Sequence, residues 1–268
     1  MPNKCAVAIT FAVSTLSASG CGLGGPCGWG QEFREQKFPL IAQVRSRGCV
    51  GKDSDGNYRL QGKWEFFYPN GQKEAEGSFK KGSMAGEKGD TGISKDGRYG
   101  TWTFWHDNGQ KREQKTYKDG KVDGLWAVWH QNGQKKVQTS YKNGKQDGPS
   151  AGWYDNGNKE AEGNFKDGAQ EGLSTTWYKN GKKEGEMVVK DGKQGDGPFC
   201  MWYENGQKSR EGTYKSGKPD GLLTIWYENG QQNFEGVYKD GVGVPNTIKT
   251  WDEKGKPVPL RRANGTVH

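Results

Sequence analysis

Aliphatic side chains are scarce in this sequence. Hydrophobic residues make up 30% of the 268 residues, and Leu, Ile, Val and Phe together number 38, which is low for an ordinary globular domain. A thick two-layer core is therefore not expected. Eleven Trp, eleven Tyr and ten Phe supply large, stiff apolar surfaces instead, and such side chains can stabilise a thin structure.

Signatures of catalysis are also scarce. The chain has three His, and it contains no Gly-x-Ser-x-Gly motif, no phosphate-binding glycine loop before a helix and no Cys-x-x-Cys pair. His106 and His130 occupy the same repeat position, so they should lie two strands apart, roughly 10 Å at about 4.8 Å per strand, too far to share a zinc ion. We expect no catalytic residue, no cofactor and no metal ion.

Charge of one sign is not concentrated in any segment. The formal net charge is +8, from 40 Lys and Arg against 32 Asp and Glu, and the positive residues are scattered through turns beside acidic neighbours rather than gathered in a run. A nucleic-acid footprint normally gathers on one face or stripe. The pattern therefore predicts a solvated surface and argues against nucleic acid as a partner, with attraction to anionic lipid as a weaker alternative.

The amino terminus has the outline of an export signal. One early Lys precedes an apolar stretch from Ala6 to Ala18 and then Ser19-Gly20-Cys21, too short a run to span a membrane. Residues 1–20 resemble the leader of a bacterial lipoprotein, in which the Cys becomes the lipidated first residue. We predict lipidation at Cys21 and anchoring to the bacterial envelope; ordinary secretion and a retained apolar tail on a cytoplasmic protein are the alternatives.

The remaining cysteines are too few for a disulfide framework. If Cys21 is acylated, three are left in the mature chain, and one of these must be unpaired. A bridge between Cys27 and Cys49 would fasten the amino-terminal segment in an oxidising compartment. Cys200 lies within a later strand, where packing is its expected role.

The dipeptide Asn-Gly recurs at a nearly constant interval. Between its second and last occurrence the spacing is 24, 24, 24, 25 and 24 residues, and each Gly follows an aromatic residue by four positions. Asn-Gly between half-apolar runs is a strong hairpin signal, because both residues tolerate the positive φ of a type I′ turn. The pairs are Asn70-Gly71, Asn108-Gly109, Asn132-Gly133, Asn156-Gly157, Asn180-Gly181, Asn205-Gly206 and Asn229-Gly230, after Phe67, Trp105, Trp129, Trp153, Trp177, Trp202 and Trp226, and Trp251 precedes Lys254-Gly255 in a truncated unit.

Two more glycine positions recur in every unit. A second turn, such as Asp119-Gly120 or Asn143-Gly144, closes each repeat, and a further Gly lies nine residues before each Asn-Gly glycine. A strand glycine predicts a β-bulge or a place where a neighbouring aromatic needs room. Two turns in 24 residues leave strands of about five to eight residues. The predicted fold class is all-β: an elongated single-layer antiparallel β-meander of about seven 24-residue hairpin repeats.

The repeat also sets the expected domain organisation. Residues 1–20 form the leader, 21–57 a Gly-rich tether and amino-terminal cap, 58–256 the repeat domain, and 257–268 a carboxy-terminal tail. An insertion loop at 83–96 interrupts the array. A recognition element on a rigid scaffold and a tolerated surface insertion both fit this loop.

The repeat is similar to a known family. The segments WYENGQKSREGTYKSGKPDG (202–221) and WYENGQQNFEGVYKDG (226–241) resemble the variant MORN repeat of bacterial antitoxin components of the YwqK type, over about residues 58–256. The resemblance implies a twisted antiparallel sheet and a non-catalytic protein that binds something. The antitoxin label further implies a toxin partner, although an exported chain would not meet a toxin in the cytoplasm.

Candidate binding residues stand at the ends of the hairpin strands. Strand parity, with two-residue Asn-Gly loops, places Trp202 with Glu211 and Trp226 with Glu235 on one face. A protein-binding scaffold is the first hypothesis; binding of small cationic, sugar or wall-polymer ligands, edge-to-edge pairing of two copies and a passive spacer are the alternatives. The candidate surface comprises Trp105, Trp129, Trp153, Trp177, Trp202, Trp226, Glu211 and Glu235.

Overall fold

A computed structural model describes Cys27 and residues 31–37, 44–83 and 92–259, and each regular element in these ranges is a β-strand. Every strand pairing that it records is antiparallel. The predicted fold class, an all-β antiparallel meander, is confirmed. The strands are β1 (Gln31–Lys37), β2 (Val44–Lys52), β3 (Tyr58–Phe67), β4 (Lys73–Ser83), β5 (Arg98–Trp105), β6 (Lys111–Lys118), β7 (Lys121–Trp129), β8 (Lys135–Lys142), β9 (Lys145–Trp153), β10 (Lys159–Lys166), β11 (Ala169–Trp177), β12 (Lys183–Lys190), β13 (Lys193–Trp202), β14 (Lys208–Lys215), β15 (Lys218–Pro219), β16 (Gly221–Trp226), β17 (Gln232–Lys239), β18 (Val242–Gly243) and β19 (Lys249–Thr250).

The chain divides into two compact units. Unit 1 comprises the described residues up to Gln110 together with Tyr117–Gly120, and unit 2 comprises Lys111–Thr116 and the described residues from Lys121 onward. In unit 1, β1 to β5 pair in chain order. In unit 2, β7 to β14 pair in chain order, and β16, β17 and β19 continue the series.

The segment before the repeats extends the sheet of unit 1. Phe33 of β1 lies opposite Cys49 of β2, and Val50 of β2 lies opposite Leu60 of β3. The expected cap is therefore built from two strands of the meander, although its sequence lacks the repeat. The predicted leader, Cys21, residues 84–91 of the insertion loop and residues 260–268 of the tail lie outside the described residues.

The Asn-Gly pairs lie in three-residue hairpin loops, so the predicted two-residue type I′ turns are wrong. Gly230 N–H donates to the Tyr227 carbonyl at 2.9 Å, and Tyr227 N–H donates to the Gln231 carbonyl at 2.8 Å. Gly230 has a φ of 84°, whereas Asn229 is not left-handed. Glycine thus supplies the left-handed residue of a type I turn with a bulge. The same pair of bonds recurs in the turns that begin at Tyr68, His106, His130, Tyr154, Tyr178 and Tyr203.

Type I′ geometry occurs instead in the second turn of six repeats. Asp167 and Gly168 have φ angles of 51° and 95°, and Lys166 lies opposite Ala169 where β10 meets β11. Asp, Asn and Gly are the residues that most readily adopt this conformation. The other turns with two left-handed residues are Asp119-Gly120, Asn143-Gly144, Asp191-Gly192, Ser216-Gly217 and Asp240-Gly241.

The recurrent strand glycines mark β-bulges. Gly148 has a φ of 109°, and residues 147–149 of β9 lie opposite the single residue Ser140 of β8. A Cβ added at Gly148 would lie 3.1 Å from the Ser140 Cβ, so a larger side chain would also be crowded there. The one 25-residue interval is absorbed at the equivalent bulge, where the four residues 195–198 lie opposite Val188.

Unit 1 holds most of the packed core. Ten of the thirteen buried hydrophobic side chains among the described residues belong to it. Trp102 is fully buried, and its ring centre lies 4.8 Å from that of Phe79 in an edge-on contact. The Trp102 ring packs directly on Gly77, and the Trp64 ring packs in the same way on Gly48, because neither glycine has a side chain in the way. Aromatic rings on bare backbone therefore build this core.

Candidate binding surface

A cation lies over the aromatic ring that ends each hairpin. Lys159 Nζ is 5.3 Å from the ring centre of Trp177, and Lys208 Nζ is 5.8 Å from that of Trp226. A cation at this distance is attracted by the electron-rich face of the ring. The same arrangement joins Lys111 to Trp129, Lys135 to Trp153 and Lys183 to Trp202 in unit 2, and Arg47 to Phe67 and Lys73 to Trp105 in unit 1.

Most of these lysines also bind a carboxylate on their own strand. Lys208 Nζ lies 2.5 Å from Glu211 Oε2, and this hydrogen bond raises the pKa of Lys208. The equivalent pairs are Lys73–Glu76 at 2.6 Å, and Lys159–Glu162 and Lys183–Glu186 at 2.5 Å. The place that Trp and Glu were predicted to offer to a cationic ligand is therefore taken by the chain's own lysines.

The carboxylates and tryptophans of unit 2 share one face of the sheet, which we name the carboxylate face. Glu211 lies opposite Cys200 on one side and Thr224 on the other, and Lys208 connects it to Trp226. A register shift after Ile225 sets Trp226 opposite Gln232, one residue away from the pairing that a two-residue loop would give. The shared face of Trp226 and the glutamates nevertheless survives, because the lysine contacts both.

Polar side chains at the Asn-Gly turns bind the next repeat. Asn180 Oδ1 accepts the Lys182 N–H at 2.9 Å, and Asn180 Nδ2 donates to the Glu204 carbonyl at 2.9 Å. Tyr178 O–H donates to the Trp202 carbonyl at 2.7 Å. The turn at Asn180 is thus hydrogen-bonded to the next repeat. The Asn donor recurs at Asn70, Asn132, Asn156, Asn205 and Asn229, and the Tyr donor at Tyr68, Tyr154, Tyr203 and Tyr227.

His130 takes the tyrosine's place in this scheme. Its Nε2 lies 2.8 Å from the Trp153 carbonyl, and since a carbonyl only accepts, Nε2 carries the proton.

No group of three or more His, Cys, Asp or Glu among the described residues could hold a metal ion. The same residues include no helix with the length and apolar character needed to cross a membrane.

Exposed apolar side chains form a line on the carboxylate face. Leu125, Leu173 and Leu222 are 43%, 59% and 53% exposed. The residue two positions after each leucine lies opposite a carboxylate or, in the first of these hairpins, opposite Gln138. The leucines therefore share the face of these side chains. The equivalent residues of the hairpins between them, Pro149 and Pro198, are exposed too. We name these five residues the apolar stripe.

A buried arginine holds the far end of the insertion in unit 1. Arg98 is 5% exposed, and its guanidinium donates to the carbonyls of Ile93 at 3.2 Å and Ser94 at 2.9 Å. It also donates to the Tyr117 hydroxyl at 3.2 Å and lies 4.7 Å from the Trp102 ring centre. Ile93 and Ser94 of the insertion are therefore buried in the core of unit 1.

The described cysteines have distinct surroundings. Cys27 and Cys49 are joined in a disulfide with their Cα atoms 5.7 Å apart, as the sequence proposed. Cys200 is a free thiol on the carboxylate face, and burial raises its pKa. A thiol whose pKa is raised is a poor nucleophile, in line with a packing role.

Sequence reasoning missed the lysines, although their spacing is regular. In unit 2 each of the stacked lysines stands two residues after an Asn-Gly glycine and 18 or 19 residues before the tryptophan that it covers. That constant interval is a signal, but the face on which a lysine lies depends on the bulges, which the sequence alone does not position. The inter-repeat bonds of the Asn side chains were missed for the same reason.

Six segments of the chain match the family described as MORN repeat variant: residues 60–81, 98–119, 122–143, 146–167, 170–191 and 195–216. Repeats of this kind are typically non-catalytic binding modules. No curated protein matches the chain. Each matched segment holds a strand, an Asn-Gly turn and the following strand. These six segments of the chain are therefore MORN repeat variants.

Proposed function

We propose that the chain is a non-enzymatic scaffold that binds a protein partner through the apolar stripe. The observation that carries this proposal is the exposure of three leucines at equivalent positions of one face. A protein that acts only as a spacer would have no need of apolar side chains at these exposed positions. Leu173 and Leu222 lie opposite Val188 and Val237, so the apolar surface continues onto the neighbouring strands. Apolar patches with a polar rim are typical of protein interfaces.

The rim of the stripe indicates what the partner must offer. The adjacent row of the carboxylate face consists of ion pairs such as Lys183–Glu186 and therefore carries little net charge. We expect a partner surface that is mainly apolar and that matches the hairpin interval of roughly 10 Å. Because steering by charge is weak at such a surface, binding should depend little on salt.

A capture experiment with a stripe variant tests this proposal. The full-length chain, as bait in native membrane extracts, should enrich a protein that the triple variant Leu125→Ser, Leu173→Ser, Leu222→Ser no longer holds. Val242→Ser is the matched control, because Val242 is a 71% exposed apolar residue outside the stripe, and it should capture normally. Failure of the unmodified chain to enrich any protein, or equal capture by the triple variant, would refute the proposal.

The absence of catalysis is part of the same proposal. The glutamates of the carboxylate face recur in nearly identical surroundings, each beside a lysine or a glutamine. A general acid and a general base need environments that separate their pKa values, and a regular row supplies no such difference. Hydrolysis of a broad panel of ester, glycoside and phosphate substrates by the pure chain would count against a scaffold.

We also propose that the scaffold works at the bacterial envelope, anchored through Cys21. Support comes from the leader-like residues 1–20 and from the Cys27–Cys49 disulfide, since disulfides persist in oxidising compartments. Mass spectrometry of the mature chain should find an acylated amino-terminal Cys21, and Cys21→Ser should release the protein from membranes. A cytoplasmic chain with an intact leader would reverse this assignment and restore the antitoxin role, which co-expression with a captured toxin would then test.

A further inference from the structure

One aromatic ring in the series lacks its cation. Trp251 stands at the same offset from a turn as the seven rings before it, and Tyr227 O–H donates to its carbonyl at 2.9 Å as the equivalent tyrosines do. The residue that should cover it, two positions after Gly230, is Gln232 rather than Lys. Within the part of the chain that the structure describes, no lysine or arginine lies over the Trp251 ring.

The neighbouring polar groups do not make up for the missing charge. The Gln232 side-chain amide donates a hydrogen bond to Glu235 Oε2 at 3.0 Å. The nearby Lys249 ammonium is also bound to Glu235, at 3.2 Å from Oε1. The Glu235 carboxylate therefore has its partners, and neither Gln232 nor Lys249 places a cation over the Trp251 ring. Trp251 remains partly accessible to solvent.

The seven covered rings show what such a face accepts. Six hold a lysine ammonium and one an arginine guanidinium, at 5.1 to 5.8 Å from the ring centre. A ring with the same offset and the same backbone bond presents the same kind of electron-rich face. Only the cation is missing, and the chain's own arrangement identifies its chemistry as that of a lysine side chain.

We propose that the Trp251 ring receives a lysine side chain of the protein partner, as the Trp226 ring receives Lys208. This inference rests on the proposed function, because it assigns the lysine to a partner protein. It adds one defined polar contact to an interface that is otherwise apolar. Gln232 is then the specificity-determining residue, since Lys at this position would fill the site from within the chain.

Indole resonances of the full-length chain test the site without a partner. The probe is Nα-acetyl-lysine N-methylamide, titrated against the ¹⁵N-labelled protein, with the Trp251 indole N–H assigned through Trp251→Phe. We expect the Trp251 signal to shift and the Trp226 signal to stay. Gln232→Lys should abolish the Trp251 response, and Lys208→Gln should create a new response at Trp226. The spectra also report whether each variant is folded.

Each contrary result has a definite meaning. A Trp226 response in Lys208→Gln without any Trp251 response in the unmodified chain would overturn the proposal. So would an unchanged Trp251 response in Gln232→Lys. A shift with tetramethylammonium but none with the lysine amide would assign the site to a small quaternary ammonium ligand and refute the lysine assignment.

Capture of the partner separates this inference from the proposed function. A cation over an exposed ring contributes about 0.5 to 1 kcal/mol, which converts to roughly a two- to fivefold change in affinity. Gln232→Lys should weaken partner binding by that factor, while the stripe variant abolishes it. Equal affinity of Gln232→Lys and the unmodified chain would refute the lysine contact and leave the scaffold proposal intact. No captured protein at all would refute the scaffold.

Discussion

The two units of this chain use the same repeat for different ends. Unit 1 packs Trp64, Phe79 and Trp102 on bare glycine backbone and buries Arg98 among them. Unit 2 has the lysines that lie over tryptophan rings and the hydrogen bonds between successive turns, but the leucines of the apolar stripe are exposed to solvent. Large buried rings stabilise a fold, and exposed apolar surface is available to a partner. We therefore interpret unit 1 as the main source of stability and unit 2 as the binding surface.

The largest expected effect on stability is that of removing a buried aromatic ring from unit 1. Trp102→Ala should lower the free energy of unfolding by about 3 to 5 kcal/mol, as for a fully buried aromatic residue. Trp177→Ala, at a half-buried position of unit 2, should cost about 1 to 2 kcal/mol. Urea denaturation of both variants, followed by fluorescence, measures the difference. Equal losses would show that the packed rings of unit 1 contribute nothing special.

A smaller loss of stability should follow from adding a methyl group to a glycine that packs against an aromatic ring. A methyl group at Gly77 would overlap the Trp102 ring, and overpacking of this kind costs about 1 to 3 kcal/mol. Gly51→Ala is the matched control, because the nearest atom to its new Cβ would be 3.9 Å away and its φ is not left-handed. The control should change thermal stability little. A Gly77→Ala protein that melts like the control would contradict the packing described for unit 1.

Each hydrogen bond of an asparagine side chain in the turns of unit 2 should contribute about 1 kcal/mol, the net value of a typical hydrogen bond. Asn180→Ala loses the bonds to both Lys182 and Glu204. Asn180→Asp keeps the acceptor for Lys182 N–H and loses only the donor to the next repeat, so its cost should be intermediate. Denaturant titration of the pair separates the two bonds. If the two variants lose the same stability, the inter-repeat bond carries the whole effect.

The smallest effect concerns pH in unit 1. Burial alone would raise the pKa of Glu65, but hydrogen bonds from Lys73 and Arg47 outweigh it and hold that pKa below its ordinary value of 4.5. Because the folded-state pKa is lowered, the stabilisation is present above about pH 4.5 and is lost as the pH falls through the folded value. It should amount to about 1 kcal/mol or less, as for partly exposed ion pairs.

Glu65→Gln removes this titrating group and serves as the comparison. Unfolding free energies of both proteins between neutral and acidic pH should converge as the acid limit is approached. The substituted protein should then have the flatter profile. Parallel profiles would show that Glu65 titrates alike in the folded and unfolded chain.

The repeat predicted much of this fold because Gly, Asn and aromatic residues have strong local preferences. The meander, the turn positions and the strand bulges follow from where these residues recur. The turn type at Asn229-Gly230 did not follow, since Asn-Gly suits both a two-residue turn and the longer turn found here. The choice depends on the register with the next strand and on the bond from Asn229 to Glu253, which are properties of the assembled sheet.

The candidate site was predictable in composition but not in arrangement. The tryptophans and glutamates were identified from their period, yet the cation between them, such as Lys208, comes from the preceding hairpin. The interval from lysine to ring is constant along the sequence, but the face on which each lysine lies depends on the bulges, which the sequence alone does not position. The apolar stripe also went unnoticed, because exposure of Leu173 depends on which face its neighbours cover.

The most direct test of the division between the units is hydrogen exchange of the full-length chain with and without the protein that it captures. We expect new protection in β7, β11 and β16, the strands that carry the leucines of the apolar stripe, and unchanged exchange in β3, β4 and β5. New protection confined to the strands of unit 1 would contradict the account.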